Sequence, residues 1–544
     1  MPGDASPDEV LPEYVRALLR PDAYPSPPPD VELRQTHVSY VFLAGDVVYK
    51  TKKPVDFGFI DQVAPERREA FCHAEVRLNR RLAPDVYLGV GPIVRHPDGR
   101  IAVLAAGEPP PGDAEVVEWC VQMRRLPDDR TLRELLPAGE APPRVAEHVV
   151  RQLIAFHEAA EVVESDPDFA GAAGDAAWWE REYGETEGFI GSTWAAGNAA
   201  ATRNFVASEL EREWALFDAR LADGRVIEGH GDLRADHVYV LDDTGEDLAI
   251  VDCIEFSEWY HFRYLDAGYD IAFLAMDLEA LGFAELGDEI AGRYIAASGD
   301  ETMGGLQPLH RAFRAFVRGK VESIGAHAPE VSEEQRAALA ESAAQFFHLA
   351  ASFGERRAEP AVVVMCGLPA TGKSTVAGTL ASRIGAAYVS SDIVRKQLAG
   401  IDPRERADEA FRAGLYSPEM TERTYTELRR HVREHLDAGR AVVIDAMHGR
   451  ASEREAARAL TAEHGVPCLV AELHLDEATA RARIAGREDD PLRTSDATED
   501  VYALQRDRFE PVGGGEGPSI TLDASRPPGA LARDVAEALA GLRA

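Results

Sequence analysis

The chain has 544 residues, 45% hydrophobic and 28% charged, with a formal net charge of −36. One hydrophobic core cannot organise that length, so about two to four domains are expected, and so acidic a field argues against broad nucleic-acid binding. Five scattered cysteines without metal-ligand spacing, no basic-then-apolar leader and no apolar run near the ~18 residues of a membrane span point to a cytoplasmic protein with no membrane partner.

Residues 1–30 are rich in Pro and Asp and read as a short helix, Asp8–Leu19, followed by an irregular lead-in. From residue 31 to about 122 the pattern is a small sheet with one helix. Ser39–Leu43 and Asp46–Lys50 form a hairpin around Ala44-Gly45, and Arg67–Leu82 has helical periodicity. Val86–Val94, Arg100–Ala105 and Glu118–Arg124 are extended. Residues 123–353 are mostly helical. One extended island, Val226–Asp252, carries a hairpin around Asp242–Gly245. Two charged stretches there read in two ways. Asp266–Glu289 is a solvated face or the lining for a cationic substrate; Arg314–Lys320 pairs with acidic neighbours or docks an anion. The polar break 354–360 is the best boundary. From 361 to 544 strands Ala361–Cys366, Ala386–Ser390, Ala441–Asp445, Cys468–Leu475 and Ser519–Leu522 alternate with helices, the pattern of an open parallel α/β sheet.

The strand at 361–366 runs into Gly367-Leu368-Pro369-Ala370-Thr371-Gly372-Lys373-Ser374-Thr375, the complete G-x-x-x-x-G-K-[ST] phosphate loop. Its glycines let backbone N–H groups turn inward on a polyphosphate, and the following helix aims its positive end at the same anion. Lys373 supplies a point charge to the β- and γ-phosphates, and the Ser374 hydroxyl can ligate Mg²⁺. Sites in such sheets form at the carboxyl ends of strands, where Ser391, Asp392 and Asp445 fall. Asp445 closes an apolar strand, as a metal-holding carboxylate does. Asp392, one helical turn before Arg395, is a general base beside an arginine or a helix N-cap. Arg483 and Arg487 share a helical face near Arg481 and Arg493; they form an arginine lid over transferring phosphate, or an exposed helix in an arginine-rich chain.

The helical half carries a second pair of carboxylates. His230-Gly231-Asp232 precedes a hairpin that Ile250-Val251-Asp252 closes. The start of a hairpin's first strand lies beside the end of its second, so Asp232 and Asp252 can converge as hydroxyl-deprotonating and metal-binding groups. Lysine is scarce: Lys50, Lys52, Lys53, Lys320, Lys373 and Lys396 are all of them. The cluster at Lys50–Lys53 therefore invites a phosphate-binding role.

Two family resemblances follow. GLPATGKST, SSDIVRKQL, AVVIDAM and RARIAGRE with SDAT resemble the P-loop small-molecule kinases of the gluconate kinase, chloramphenicol phosphotransferase and zeta-toxin type. This implies catalytic roles for Asp392, Arg395, Arg483 and Arg487. HGDLRADHVYV, IVDCIEF, VVYK and EWCVQMRRLP resemble the aminoglycoside phosphotransferase-like group of the protein-kinase-like fold, over about residues 33–350. This implies a two-lobed module with Asp232 as base, Asp252 as Mg²⁺ ligand, Lys50 on the ATP phosphates, Glu75 as its helix partner, and Glu118–Pro127 as the hinge. His237 stands where that family has an Asn metal ligand, and imidazole suits hard Mg²⁺ poorly. Lys52 replaces Lys50 if the strand register differs by two. The expectation is an ATP- and Mg²⁺-dependent phosphotransferase with two kinase-type modules acting on a hydroxyl of a small molecule. The alternatives are a regulatory P-loop ATPase with a ligand-sensing pseudo-kinase N-terminal half, and a nucleic-acid end kinase.

Overall fold

The structure is a computed structural model that describes residues 11–58, 60–163, 170–257, 261–328, 331–402, 414–486 and 499–542, with Asp500 described by its backbone alone. The chain divides into two compact units, 1–145 with 227–265, and 146–226 with 266–544.

The first unit is built on a six-stranded antiparallel sheet of β1 (Glu32–Gln35), β2 (Ser39–Ala44), β3 (Val47–Lys52), β4 (Tyr87–Arg95), β5 (Ile101–Val103) and β6 (Glu115–Arg124), in the order β1-β2-β3-β6-β4-β5. The β2–β3 turn needs a left-handed residue, and Gly45 supplies it at φ 65°. Helix Pro65–Asn79 starts with proline in its first turn, where the absent N–H costs nothing, and packs Cys72 and Val76 against Val90 and Val121. A separate cluster of Val15, Leu18, Tyr24, Phe42, Tyr49 and Ile93 gathers the lead-in onto the sheet. The short strands β7 (Val226–Glu228) and β10 (Tyr264–Asp266) pair with each other, and β8 (Val238–Val240) with β9 (Leu248–Ile250) forms the expected hairpin.

The second unit joins a helical region to a parallel sheet of β11 (Val362–Cys366), β12 (Ala387–Ser390), β13 (Val442–Asp445), β14 (Cys468–His474) and β15 (Ser519–Asp523), in the order β12-β13-β11-β14-β15. Strands β11, β12 and β13 are buried along their whole length, which is why none of them alternates apolar with polar residues, and β11 and β13 read as Val-rich runs. Helix Pro418–Asp437 lays Leu428, Val432 and Leu436 over that sheet. Helix Ala284–Ser298 meets the phosphate-loop helix Lys373–Ile384 through facing glycines, Gly292 and Gly378. The polar break is tied down. Arg357 pairs with Glu209 and Glu213 at 2.7 and 3.0 Å, and Ala358 N donates to Ile384 O.

The charged stretches pair internally. Asp266 binds Arg220, Asp288 binds Arg311 and Arg383, and Lys320 binds Glu182 and Glu185. Asp266, Asp270, Asp277 and Asp288 are all buried, so this part of 266–289 is not a solvated face. Among the described residues no helix is long and apolar enough to cross a membrane.

Candidate nucleotide centres

In the first unit β3 places Lys50 and Lys52 on one face, both reaching Glu75 of helix Pro65–Asn79. They differ beyond that. Lys50 Nζ donates to Glu75 Oε1 at 2.9 Å and to Asp252 Oδ1 at 3.0 Å, and it lines a cleft. Lys52 is fully buried, between Glu75 and Glu255. Burial works against the Lys50 ammonium, but Asp252, Glu75 and Glu255 outweigh it and hold its pKa well above the ordinary range. The same balance runs in reverse at Asp252: burial opposes its charge, while Lys50 first and then Lys52 hold its carboxyl far below the usual range. Asp252 adopts φ 70°, a left-handed conformation that costs a non-glycine residue about 1–3 kcal/mol. Its N–H donates to the Tyr87 hydroxyl at 3.3 Å, and the next N–H donates to Asn79 Oδ1 at 2.8 Å. These bonds hold the carboxylate over Lys50.

The cleft has a volume of about 250 Å³, and Val48, Lys50, Tyr87, Met123, Leu126 and Asp252 are among the residues lining it. The segment expected as a hinge therefore borders the same space as the lysine and the carboxylate. Asp232 and Asp252 do converge, through His237. Its Nδ1 lies 3.6 Å from Asp232 Oδ2 and its Nε2 3.7 Å from Asp252 Oδ2. Arg234 sits among them. It forms two hydrogen bonds to the Asp232 carboxylate at 3.1 and 3.3 Å and one to Asp236 at 3.1 Å.

In the second unit the phosphate loop joins β11 to its helix through two left-handed residues, Ala370 at φ 64° and Gly372 at φ 87°. The strain at Ala370 is what a backbone curled around an anion requires. Lys373 donates to Leu368 O at 2.7 Å, across the mouth of the loop. Asp445 ends β13 opposite Ser390 of β12 and accepts a hydrogen bond from the Tyr388 hydroxyl at 2.7 Å. Burial raises the Asp445 pKa; Tyr388, Ser374 and Lys373 pull against that, and Asp392 adds to it. The loop serine, the strand-end carboxylate and Asp392 thus share one locality. Helix Ser391–Leu398 is preceded by Ser390 as its flanking residue, with no side-chain cap. Asp392 lies in the first turn rather than at the N-cap.

The arginines divide. Arg483 lies against the loop, donating to Ala370 O at 3.4 Å and Ala524 O at 3.1 Å. Arg395 is buried, donates to Leu415 O at 2.9 Å and covers the Tyr416 ring at 4.7 Å. Arg487, Arg493, Ser495 and Asp496 lie outside the described residues. Sequence reasoning passed over Tyr388 because nothing local marks it, whereas Glu255 and Arg234 stood inside recognised motifs.

Strand, loop and helix together define a P-loop nucleotide-binding domain, and residues 362–512 match a family model described as an AAA domain. The whole chain has wider relatives. It is 32% identical over 443 residues to the uncharacterized protein Rv2004c of Mycobacterium tuberculosis, covering 81% of this chain and 83% of that one; Mb2027c of Mycobacterium bovis matches equally. The chain belongs to the family of these mycobacterial proteins. Among solved structures, similarity extends to a gluconokinase from Sinorhizobium meliloti 1021 (18% identity, 34% of this chain, 93% of that one, TM-score 0.25). It also extends to a choline/ethanolamine kinase family protein from Mesorhizobium loti (14% identity, 59% and 91%, TM-score 0.34).

Proposed function

We propose that this protein is an ATP-dependent phosphotransferase with two kinase-type centres, each passing the γ-phosphoryl group to a hydroxyl of a small molecule such as a sugar or aminoglycoside. The observation that carries the reading is the P-loop centre, where Lys373, Ser374, Asp392 and Asp445 gather at the carboxyl ends of parallel strands. Lys373 exchanges a carbonyl partner for phosphate, Asp392 takes the acceptor's proton, and Arg483 holds the loop at Ala370. Mg²⁺, when held there, would supply neutralisation of the charge that develops in transfer. Ser374 and Asp445 offer it oxygen donors alone, which suits a hard cation. In the first unit Lys50 would meet the phosphates, with Glu75 holding it, and Asp232 would serve as base. The net charge of −36 supports a small acceptor over a nucleic acid.

ADP release should be screened against sugars, aminoglycosides and nucleosides with wild type, Lys373→Ala, Asp392→Asn and Asp232→Asn. An acceptor whose phosphorylation needs Asp392 supports transfer at the P-loop centre. Acceptor-independent ATP hydrolysis throughout refutes it. A second reading, in which the first unit binds nucleotide as a sensor without transfer, is favoured by the two-bonded Arg234 on Asp232, since a base so paired accepts a proton poorly. It predicts that Asp232→Asn leaves every turnover unchanged.

A further inference from the structure

The hydrogen-bond partners of the histidine beside the first centre select its tautomer. His237 Nδ1 lies 2.7 Å from Asp232 O. A carbonyl only accepts, so Nδ1 carries the proton. Arg234 Nη2 lies 3.1 Å from His237 Nε2. A guanidinium only donates, so Nε2 carries a lone pair. Both demands describe one neutral ring, with Nε2 facing Asp252 Oδ2 at 3.7 Å. Metal-bound imidazoles are held this way, the second nitrogen donating to a backbone carbonyl. The ring has little freedom to turn. It is buried and stacked on His230 at 6.1 Å and 19°, and His230 is itself held between Val251 O and Asp232 N.

Among the described residues the charges around it are unevenly matched. Lys50 and Lys52 face Glu75, Asp252 and Glu255, two positive groups against three negative ones. Arg234 is spread over Asp232 and Asp236.

We propose that His237 Nε2 and the Asp252 carboxylate form a mixed nitrogen–oxygen ligand pair that makes the first centre prefer Mn²⁺ to Mg²⁺; this rests on reading that centre as a nucleotide site. Donors ~2.1 Å from a metal at right angles are roughly 3.0 Å apart, so the 3.7 Å gap closes with shifts of a few tenths of an ångström on each side. Arg234 releases Nε2 and keeps Asp232 Oδ1 and Asp236, each at 3.1 Å. Lys50 keeps Glu75 and turns from Asp252 to phosphate. Among the described residues no group of three or more His, Cys, Asp or Glu is placed to hold a metal. Phosphate and water oxygens therefore complete the shell, and the metal binds with the nucleotide. One imidazole admits metals that Mg²⁺-type sites disfavour, while the surrounding oxygens hold the choice near Mn²⁺ rather than softer ions.

The test uses the full chain carrying Lys373→Ala, or Lys373→Met if the first does not fold, so that only the first centre takes nucleotide. Binding of a non-hydrolysable ATP analogue is measured with Mn²⁺ and with Mg²⁺, and the bound Mn²⁺ is examined by pulsed electron paramagnetic resonance. Binding about tenfold or more tighter with Mn²⁺, with nitrogen coupling from one imidazole, is expected. Adding His237→Asn should remove the coupling and the preference while the analogue still binds. Bound Mn²⁺ without nitrogen coupling, or a preference that survives His237→Asn, overturns the ligand assignment and leaves the nucleotide site standing. Failure to bind the analogue with either metal overturns the site itself, and the ligand assignment with it.

Discussion

Gly292→Ala separates propensity from packing. In the interior of helix Ala284–Ser298, alanine is favoured over glycine by about 1 kcal/mol. A view of the helix alone therefore predicts a stabler protein. The structure predicts the reverse. A Cβ at Gly292 would stand 2.1 Å from Thr379 N, 2.4 Å from Thr379 Cα and 2.5 Å from Gly378 C. Ordinary contact begins at 3.4 Å, so the shortfall to the nitrogen is 1.3 Å (3.4 − 2.1). All three atoms are backbone of the phosphate-loop helix, and no rotamer can yield. The two helices must part, at the upper end of the ~1–3 kcal/mol that overpacking costs. The net is about 2 kcal/mol of destabilisation. Gly378→Ala, with its Cβ 2.2 Å from Gly292 O, should behave alike. That helix begins at Lys373, so nucleotide affinity should fall as well. Urea unfolding of the full chain reads the first effect and analogue titration the second. A Gly292→Ala variant as stable as wild type, or more so, would refute direct backbone contact between these helices.

Lys52→Met leaves Glu75 and Glu255 without their shared ammonium and should cost roughly 3–5 kcal/mol, while Lys50→Met, at the cleft, should weaken nucleotide binding with a smaller loss of stability; equal losses in urea unfolding would contradict that division. Glu301 bridges His431 and His435 at 2.9 and 2.8 Å; burial opposes its charge, yet the two histidines draw its pKa from 4.5 down to about 2, and its hydrogen bond raises that of His431 above 6.5. The carboxylate's contribution is present above pH 4.5 and lost toward 2, and the imidazole's is complete below 6.5 and lost as pH rises through the elevated value, so the stability gap between wild type and His431→Gln should be widest between pH 4.5 and 6.5 and shrink by pH 9. Removing divalent metal should weaken analogue binding more in a Lys373→Ala chain than in a Lys50→Met chain, as calorimetry with and without chelator would show.

What the sequence disclosed was local. The phosphate loop declares itself because its glycines, lysine and serine act within nine residues. The parallel strands show as buried apolar runs, and Asp232 meets Asp252 because hairpin geometry brings the ends of its strands together. What escaped depends on partners far along the chain. Lys50 and Lys52 share a strand face, so periodicity could not separate them; Asp252 and Glu255, some two hundred residues on, do. His431 and His435 stand one helical turn apart in plain view, but the carboxylate between them is Glu301. Gly292 looks like a defect in an alanine-rich helix until Gly378 lies against it. Arg395, for which the resemblance implied a catalytic role, holds the carbonyl of Leu415 and stacks on Tyr416, both part of the segment leading into helix Pro418–Asp437.

Lys50 and Lys373 donate to different kinds of acceptor, and that difference bears on how each would receive a nucleotide. Lys373 donates to a neutral carbonyl, which an anionic phosphate oxygen would outcompete because it adds the attraction between opposite charges. Lys50 donates to Asp252, and a phosphate that takes the lysine leaves that carboxylate facing an incoming anion. On the proposal above, Asp252 would hold a divalent cation once Lys50 turned to phosphate, and the cation's charge would offset that conflict. His237 stands where such a cation would bind, with its lone pair already on the Asp252 side. On the proposed reading the P-loop centre would take the anion directly, whereas the first centre would take it together with a metal. The lysine alone, read as a phosphate ligand in both places, does not distinguish them; the group that accepts its hydrogen bond does.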